Sequence, residues 1–399
     1  MPEAAGAALT DADSELDELL ADLASVVRAA VADQPGDQPA AAAPTGPDRA
    51  RWRRYAELGW LSLLVDAERG GAGADERAAA VVARGMGAAC RREPFVAAGV
   101  MVPRCLTGLA DSAPVRALLA EVIEGDTLAV LAWQSERGEC DTRVVAGDLP
   151  VEARPDGDGL VLSGSVSWVP TDAADAYLVA ARSAGEIVLV RVDRGTAGMT
   201  VAPRRAADGT RWARLDLDGV RLPGSAVLGG GTAARDALNS AVDTGTLVCA
   251  AELLGLIDRM LELTLSYLST RRQFGRPIGS FQALRHRAVD LWVQQRLTSA
   301  AVHSALRRAC SDGVGPDTLA LAASSAKSRA SSAALRVGNE AVQLHGAIGF
   351  TDEYELGGYV NRALVLAAWL GNARAHTRRH GRLAAEMAAA PAEYRRVAS

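Results

Sequence analysis

The residues best suited to chemistry form an arginine-rich stretch between two long helical patterns. Residues 271–282 read RRQFGRPIGSFQ and include Arg271, Arg272 and Arg276. An arginine guanidinium presents a planar fork of N–H donors that matches phosphate oxygens, and Phe274 offers an apolar face to an aromatic ring. The stretch is therefore either a binding site for a phosphate-containing ligand or a solvated, charged turn. The residue types alone leave both interpretations open.

Other acid, base and thiol side chains form no comparable group. The five cysteines are dispersed, with no CxxC pair and no Cys/His cluster at metal-ligand spacing, which predicts neither a metal site nor structural disulfides. His376 and His380 have helical i, i+4 spacing, but neighbouring arginines disfavour a cation, so we expect a solvated helix face. Lys327 is the only lysine among 43 basic residues, which we interpret as a coding bias toward arginine.

The composition is typical of a globular protein without a strong electric field. The 399 residues predict about two to three domains, and 49% hydrophobic with 23% charged residues excludes a largely disordered chain. A net charge of −5 and 4% aromatic residues predict no nucleic-acid or membrane partner. The chain has neither a long uninterrupted apolar run nor the basic start of a signal peptide, so we expect a cytoplasmic protein.

The hydrophobic period changes twice along the chain. An amphipathic helix is predicted over residues 11–32, followed by a proline- and alanine-rich linker at 33–48. Short strand-like runs separated by turn residues then predict an antiparallel β domain. We therefore predict an α+β fold with domains at 1–127, 128–231 and 232–399, the last a four-helix bundle. The predicted bundle helices span residues 235–270, 282–310, 316–345 and 356–389.

Two motifs and the domain order resemble the acyl-CoA dehydrogenase family. Residues 271–282 resemble the signature that opens the second half of the family's C-terminal bundle. Residues 343–354, QLHGAIGFTDEY, resemble its glutamine-glycine-glycine stretch at the expected distance. Trp168, in SVSWVPT, resembles the flavin-facing tryptophan of the family's β domain. The helix–β–helix layout agrees over nearly the whole chain.

The resemblance implies FAD held between two subunits of a dimer, usually within a tetramer. In the family, residues matching Arg271, Gln273 and Phe274 contact the pyrophosphate and adenosine of a flavin bound mainly by the neighbouring subunit. The small residues Gly346 and Ala347 suit the ADP side because they let backbone N–H groups approach phosphate oxygens. Two alternatives remain: Gly346 and Gly349 as close-packing glycines, and Trp168 as a core tryptophan. The further cofactor contacts that the resemblance implies are Gln282, Gln343, Gly346 and Ala347 on the ADP side, and Ser135 and Trp168 on the isoalloxazine side.

The general base of the family's reaction has no counterpart in this sequence. That reaction removes the proton α to a thioester while the β hydrogen leaves as hydride, which demands a carboxylate. The usual glutamate position is Leu370 here, and a second known position is Gly245; neither side chain accepts a proton. Asp243 should point away from that second position, and we expect Glu252 to form a structural ion pair.

The segment beside the expected flavin ring also departs from the family. Residues 134–140 read QSERGEC, where relatives carry a threonine followed by a small proline-glycine run. Ser135 matches that threonine and keeps a hydroxyl. We expect the altered segment to reshape the entrance for acyl-CoA.

An intact ADP-side motif without a base resembles the subunits of heteromeric acyl-CoA dehydrogenases for bulky or sterol-derived thioesters. We therefore expect an oxidoreductase subunit of lipid or steroid metabolism, acting on CH–CH groups of acyl-CoA or another acyl thioester. The expected partners are a paralogous subunit carrying the base and an electron-transfer flavoprotein or similar acceptor. Two alternatives stay open: a homo-oligomeric relative with an unrecognised base or different flavin chemistry, and a flavin-free structural homologue.

Overall fold

Two helical regions and a β-sheet follow one another in the order that the hydrophobic period predicts. The computed structural model describes residues 3–32, 46–138, 140–141, 149–311, 313–351 and 354–389. The α+β class and the helix–β–helix order are confirmed.

The helices before the sheet begin at well-defined caps. The carboxylates of Asp48 and Asp75 accept hydrogen bonds from the backbone N–H groups of Ala50 and Arg77, each at 2.9 Å. Each bond satisfies an N–H group that the first turn of the helix leaves without a partner. The first helix begins earlier than the predicted residue 11. The elements are α1 (Glu3–Ala32), α2 (Arg49–Glu57), α3 (Glu76–Ala88), a π-helix (Phe95–Met101) that continues into α4 (Val102–Thr107), and α5 (Ala113–Ile123).

The middle region is one mixed sheet rather than the purely antiparallel sheet that was predicted. Its strand order is β6-β7-β3-β2-β4-β5-β8, and β1 pairs with β4. The pairs β1–β4 and β2–β4 are parallel, because the β2–β3 hairpin supplies the long connection that a parallel pair requires. The strands are β1 (Ala129–Ala132), β2 (Val151–Asp156), β3 (Gly159–Val169), β4 (Ala176–Ser183), β5 (Glu186–Asp193), β6 (Met199–Arg205), β7 (Arg211–Leu222) and β8 (Val227–Gly230).

The C-terminal region is organised around one buried helix. Helix α6 has 40 residues and is apolar on most of its surface, as expected for a helix surrounded by others. By length and composition it could cross a membrane, but its most apolar window is 94% buried inside the protein. The helices of this region are α6 (Gly231–Thr270), α7 (Gln282–Ala309), α8 (Pro316–His345), α9 (Leu356–Ala368) and α10 (Ala373–Ala389).

The last predicted helix, over residues 356–389, is broken into α9 and α10. The break falls at residues 369–372, where Leu370 and Gly371 have φ angles of 56° and 97°. Glycine adopts a positive φ readily, whereas a leucine there is strained. The break contains Leu370, the position at which the sequence resemblance places the family's glutamate, and we call residues 369–372 the base turn.

A short hairpin projects between α6 and α7. Strands β9 (Arg272–Gln273) and β10 (Arg276–Pro277) pair antiparallel across a two-residue loop. Both loop residues, Phe274 and Gly275, have positive φ angles of 52° and 79°. This conformation is that of the hairpin turns whose twist matches two antiparallel strands. We call residues 271–277 the arm.

Candidate functional site

The arm presents its predicted ligand contacts to solvent. Phe274 is 89% exposed, and Arg271 and Gln273 are exposed beside it. The Phe281 ring contacts the Phe274 ring edge-on, with centroids 6.0 Å apart. The Arg276 guanidinium lies 4.1 Å from the centroid of the Phe281 ring. Within the described part of the chain, the Arg271 guanidinium has no ion-pair partner. The arm is thus braced from behind while Arg271 remains available to an external anion.

The second motif meets the base of the arm through stacked aromatic rings. The ring of His345, at the end of α8, stacks on that of Tyr267 with centroids 4.5 Å apart. Tyr267 lies at the end of α6, where its carbonyl accepts the N–H of Arg271 at 2.9 Å. The His345 Nδ1–H donates to the Ala341 carbonyl at 2.8 Å, and Nε2 accepts from the Tyr354 hydroxyl at 3.3 Å. Burial lowers the pKa of His345, so the neutral ring fits this packing role.

The remaining predicted ADP-side residues are exposed around this stack. Gln343 lies in the last turn of α8, Gly346 and Ala347 begin the short 3₁₀-helix that follows, and Gln282 begins α7. Gly346 has a φ of 63°, and no atom lies within 4 Å of the place where a Cβ would be. Close packing therefore does not explain this glycine. Sequence reasoning missed Tyr267, although its spacing of four residues before Arg271 places it directly below the arm.

A cavity of about 520 Å³ lies between the sheet and α9. Three tryptophans line it: Trp168 from β3, Trp212 from β7 and Trp369 from the base turn. The rings of Trp212 and Trp369 meet edge-on, 5.7 Å apart. Trp168 is 47% exposed, and its Nε1–H donates to the Glu136 carbonyl at 3.2 Å. Trp168 is thus a wall of this aromatic cavity, not a core tryptophan.

The aromatic cavity suits a flat ring system with polar edges. The buried Ser167 Oγ also lines it and has no hydrogen-bond partner among the described residues, so a ligand atom could satisfy it. Arg204 and Arg205 stand at the rim and supply positive charge. Ser135 is not among the described lining residues, and its Oγ accepts the N–H of Arg137 at 3.2 Å.

Leu370 and Gly245, the two positions at which the sequence resemblance places a base, are both closely packed. Leu370 is 1% exposed. A Cβ added at Gly245 would lie 2.4 Å from the Cγ of Met101, and one at Gly371 would lie 2.3 Å from the Cβ of Cys140. Real Cβ atoms do not approach neighbours this closely, so the space for a larger side chain is already occupied.

The nearby carboxylates are committed to buried arginines. Asp243 pairs with Arg379 at 2.7 Å, and Glu252 pairs with Arg362 at 2.7 Å. The expected structural role of Glu252 agrees with this geometry. A buried carboxylate in contact with a buried arginine is committed to that partner and has no free path to a substrate.

The prediction of a solvated face around His376 is wrong. His376 and Arg379 are both buried, because α10 packs this side against α8. The His376 Nε2–H donates to the Leu370 carbonyl at 2.8 Å, and Nδ1 lies 3.5 Å from the Ser324 hydroxyl. Burial, reinforced by the charge of Lys327, lowers the pKa of His376 to about 3.

This low pKa predicts a loss of stability in mild acid. Below pH 6.5 the unfolded chain protonates His376 while the folded chain keeps it neutral until about pH 3. The free energy of unfolding should therefore fall as the pH falls, by about 2 kcal/mol between pH 6.5 and 5 for this group. Urea unfolding at both pH values, compared between wild type and His376→Asn, isolates the effect. A matched change at exposed His303, His303→Asn, should leave the pH dependence of wild type intact.

Family models and known proteins match most of this chain. The chain matches the family models described as "Acyl-CoA dehydrogenase, N-terminal domain" over residues 15–125 and "Acyl-CoA dehydrogenase, C-terminal domain" over residues 235–385. It is 32% identical over 337 residues to acyl-CoA dehydrogenase IpdE2 of Mycolicibacterium smegmatis, which covers 84% of this chain and 88% of that protein.

Two solved heteromeric proteins share the fold over almost the whole chain. One is the Tcur3481-Tcur3483 steroid ACAD, with a TM-score of 0.82 and 28% identity, covering 94% of this chain and 100% of that chain. The other is the ChsE4-ChsE5 complex from Mycobacterium tuberculosis, with a TM-score of 0.79 and 26% identity, covering 94% and 98%. The chain therefore belongs to the acyl-CoA dehydrogenase family, whose members are FAD-dependent oxidoreductases that act on CH–CH bonds of acyl-CoA.

Proposed function

We propose that this chain is the subunit of a heteromeric acyl-CoA dehydrogenase that supplies ADP-side contacts to FAD and lacks its own base. The observation that carries the proposal is a contrast within one molecule. The arm is braced and exposed, with Arg271 available to an anion, whereas Leu370 and Gly245 lie in filled pockets. The partner subunit supplies the glutamate.

The residues present fit FAD in two separate places. Arg271 and Gln273 suit the pyrophosphate as charge-assisted and neutral donors, and Phe274 suits the adenine ring. Trp168 remains the proposed ring contact in the aromatic cavity, where the Ser167 hydroxyl is the available donor; Ser135, the donor that the sequence predicts, lies outside the described lining residues. FAD, when bound, supplies the acceptor for the hydride; the chain's own residues hold and orient it.

An apolar stripe on α7 supports assembly with another subunit. The stripe consists of Val289, Trp292, Val293 and Leu297, which are spaced along one helix face and remain largely exposed. It begins two turns after Phe281, at the foot of the arm, so one contiguous surface carries both features. Exposed apolar patches of this kind mark interaction surfaces. We propose a dimer within a tetramer, which light scattering at micromolar concentration tests directly.

The substrate class follows from the named relatives and is part of this proposal. The solved relatives include a steroid ACAD, and IpdE2 is an acyl-CoA dehydrogenase. We therefore propose a bulky, steroid-derived acyl-CoA as the substrate, with an electron-transfer flavoprotein or similar protein as the electron acceptor, in the cytoplasm. A homo-oligomer with another base, or different flavin chemistry, is the alternative that co-purification with a paralogous chain separates.

Removal of the Arg271 guanidinium should weaken flavin retention in the assembled protein. Arg271→Ala removes a charge-assisted contact to the pyrophosphate, worth about 1.5–3 kcal/mol. This corresponds to a loss in affinity of about 10- to 150-fold. Flavin absorbance per mole of protein after gel filtration measures retention. Arg378→Ala is the matched control, because Arg378 is an exposed arginine on α10.

Equal flavin occupancy in these two variants would reject the assignment of the arm. Wild-type protein that carries no flavin, alone or with a partner, would instead support the flavin-free homologue.

A further inference from the structure

The only lysine of the chain lies at the centre of the C-terminal region. Lys327, in the middle of α8, is 0% exposed. Its Nζ donates to the carbonyls of Leu366 and Trp369 at 2.9 Å and of Gly371 at 3.0 Å, and lies 3.2 Å from the Ser331 hydroxyl. Within the described residues it has no ion-pair partner. Carbonyl dipoles alone therefore hold the ammonium charge.

We call the carbonyls and the Ser331 hydroxyl around the Lys327 Nζ the cage. Its chemistry requires lysine. An ammonium has three donors around one nitrogen and can serve several carbonyls that converge from different directions, whereas the planar guanidinium fork of arginine cannot. All other basic positions among the 43 Lys and Arg residues are arginine. The coding bias toward arginine accounts for those positions. The geometry of the carbonyl contacts accounts for the lysine at position 327.

The carbonyls that Lys327 binds would otherwise be unpaired. The last carbonyls of a helix have no partner within the helix and carry the negative end of its dipole. Helix α9 ends at Ala368, and Leu366 lies in its last turn. Lys327 thus caps the C-terminus of α9 with a buried positive charge.

Lys327 and His376 together bind three consecutive carbonyls of the base turn. Lys327 takes those of Trp369 and Gly371, and His376 takes that of Leu370 between them. These bonds hold Leu370 and Gly371 in the left-handed conformation that a leucine avoids. They also fix Trp369, whose ring contacts that of Trp212 in the aromatic cavity.

We infer that Lys327 is a positioning residue, which sets the base turn and, through it, the Trp369 wall of the aromatic cavity. The assignment does not depend on which subunit supplies the base, since the cage lies entirely within this chain. It predicts a two-way coupling. Disturbing the turn should expose the Lys327 amine, and changing Lys327 should displace Trp369.

The first test uses Lys327 as its own reporter, because no other side chain carries an amine. A water-soluble acylating reagent is applied to native protein, and peptide mass spectrometry follows Lys327 relative to the α-amino group. Gly371→Ala introduces a Cβ against Cys140 at a φ of 97°. We expect labelling about 5- to 150-fold faster than in wild type, the equivalent of 1–3 kcal/mol of backbone strain.

Gly381→Ala is the matched control for that test. Gly381 lies on α10, and a Cβ there would meet nothing within 4 Å. Its labelling rate should equal that of wild type. Equal rates in Gly371→Ala and Gly381→Ala would overturn the coupling between Lys327 and the turn.

The second test runs in the opposite direction. The chain has 7 tryptophans, so the contribution of the fixed Trp212–Trp369 pair to near-ultraviolet circular dichroism is defined as the part of the signal that Trp369→Phe removes. The far-ultraviolet signal reports that the helices remain. Lys327→Arg and Lys327→Met should both lose this pair signal. Leu306→Ala, a buried change on α7 outside the cage, should lose thermal stability and keep the signal.

A wild-type near-ultraviolet spectrum in Lys327→Arg would overturn the inference, because any buried cation would then suffice. The same holds if Leu306→Ala loses the signal equally at matched stability, since the effect would then be general loosening. If Lys327→Met does not fold, Lys327→Arg and the labelling experiment still decide.

Discussion

Purified without a partner, the chain should dehydrogenate acyl-CoA thioesters about 10²–10⁴ times more slowly than a complex with a chain that carries the missing glutamate. That factor is the usual contribution of a general base. Neither Leu370 nor Gly245 can accept a proton, and the nearby Asp243 and Glu252 are committed to buried arginines. Anaerobic bleaching of the flavin by a panel of acyl-CoAs, for the lone chain and the co-expressed pair, measures the difference.

Leu370→Glu alone should not restore turnover in the lone chain. The new carboxylate would enter a buried site, and a carboxylate without a positioned thioester has no productive geometry to exploit. The matched variant is the same chain with Leu370→Gln, which should be equally inactive. Rapid bleaching by the lone wild-type chain would show that a base exists elsewhere in it.

The second large effect concerns stability. Arg362→Met should lower the free energy of unfolding by about 3–5 kcal/mol, because it leaves buried charges without a partner. Arg362, on α9, binds Glu252 on α6 at 2.7 Å and Asp208 in the β6–β7 turn at 3.0 Å, and all three are buried. These two carboxylates hold the pKa of Arg362 above its usual value. Urea unfolding followed by circular dichroism provides the measurement.

An exposed arginine provides the control for this change. Arg116 pairs with Asp111 at 2.8 Å on the surface, so Arg116→Met should cost less than about 1 kcal/mol. Combining Arg362→Met with Glu252→Leu and Asp208→Asn should recover part of the loss, since no buried charge then stays unpaired. A cost for Arg362→Met as small as that for Arg116→Met would contradict the account.

Local patterns predicted the elements better than their ends and breaks. The apolar period of residues 356–389 continues across the base turn, so the sequence indicates one helix. The turn exists because Lys327 and His376, from α8 and α10, take its carbonyls. Likewise, arginines beside His376 suggested solvent, whereas Arg379 is buried by its pairing with Asp243, far away in the chain.

The sequence likewise predicted some parts of the candidate site and missed others. The hairpin position of the arm could be located from the sequence, because its residues form one contiguous motif; the absence of a base stays a prediction. The aromatic cavity was readable only at Trp168; Trp212 and Trp369 look like core aromatics until the sheet and the base turn bring them together. The close packing at Gly245 and beside Leu370 also escaped prediction, since Met101 and Cys140 reach Gly245 and Gly371 from distant segments.

The same packing would make the proposed dependence on a partner's base hard to reverse. A mutation that restores a carboxylate at position 245 meets the side chain of Met101, and one at position 370 meets a buried apolar site. Each single step would bury an unpaired charge or overpack the core, at a cost of several kcal/mol against a total stability of about 5–15 kcal/mol. Under the proposed division of roles, activity without a partner would therefore need several substitutions at once, and no single substitution would provide it.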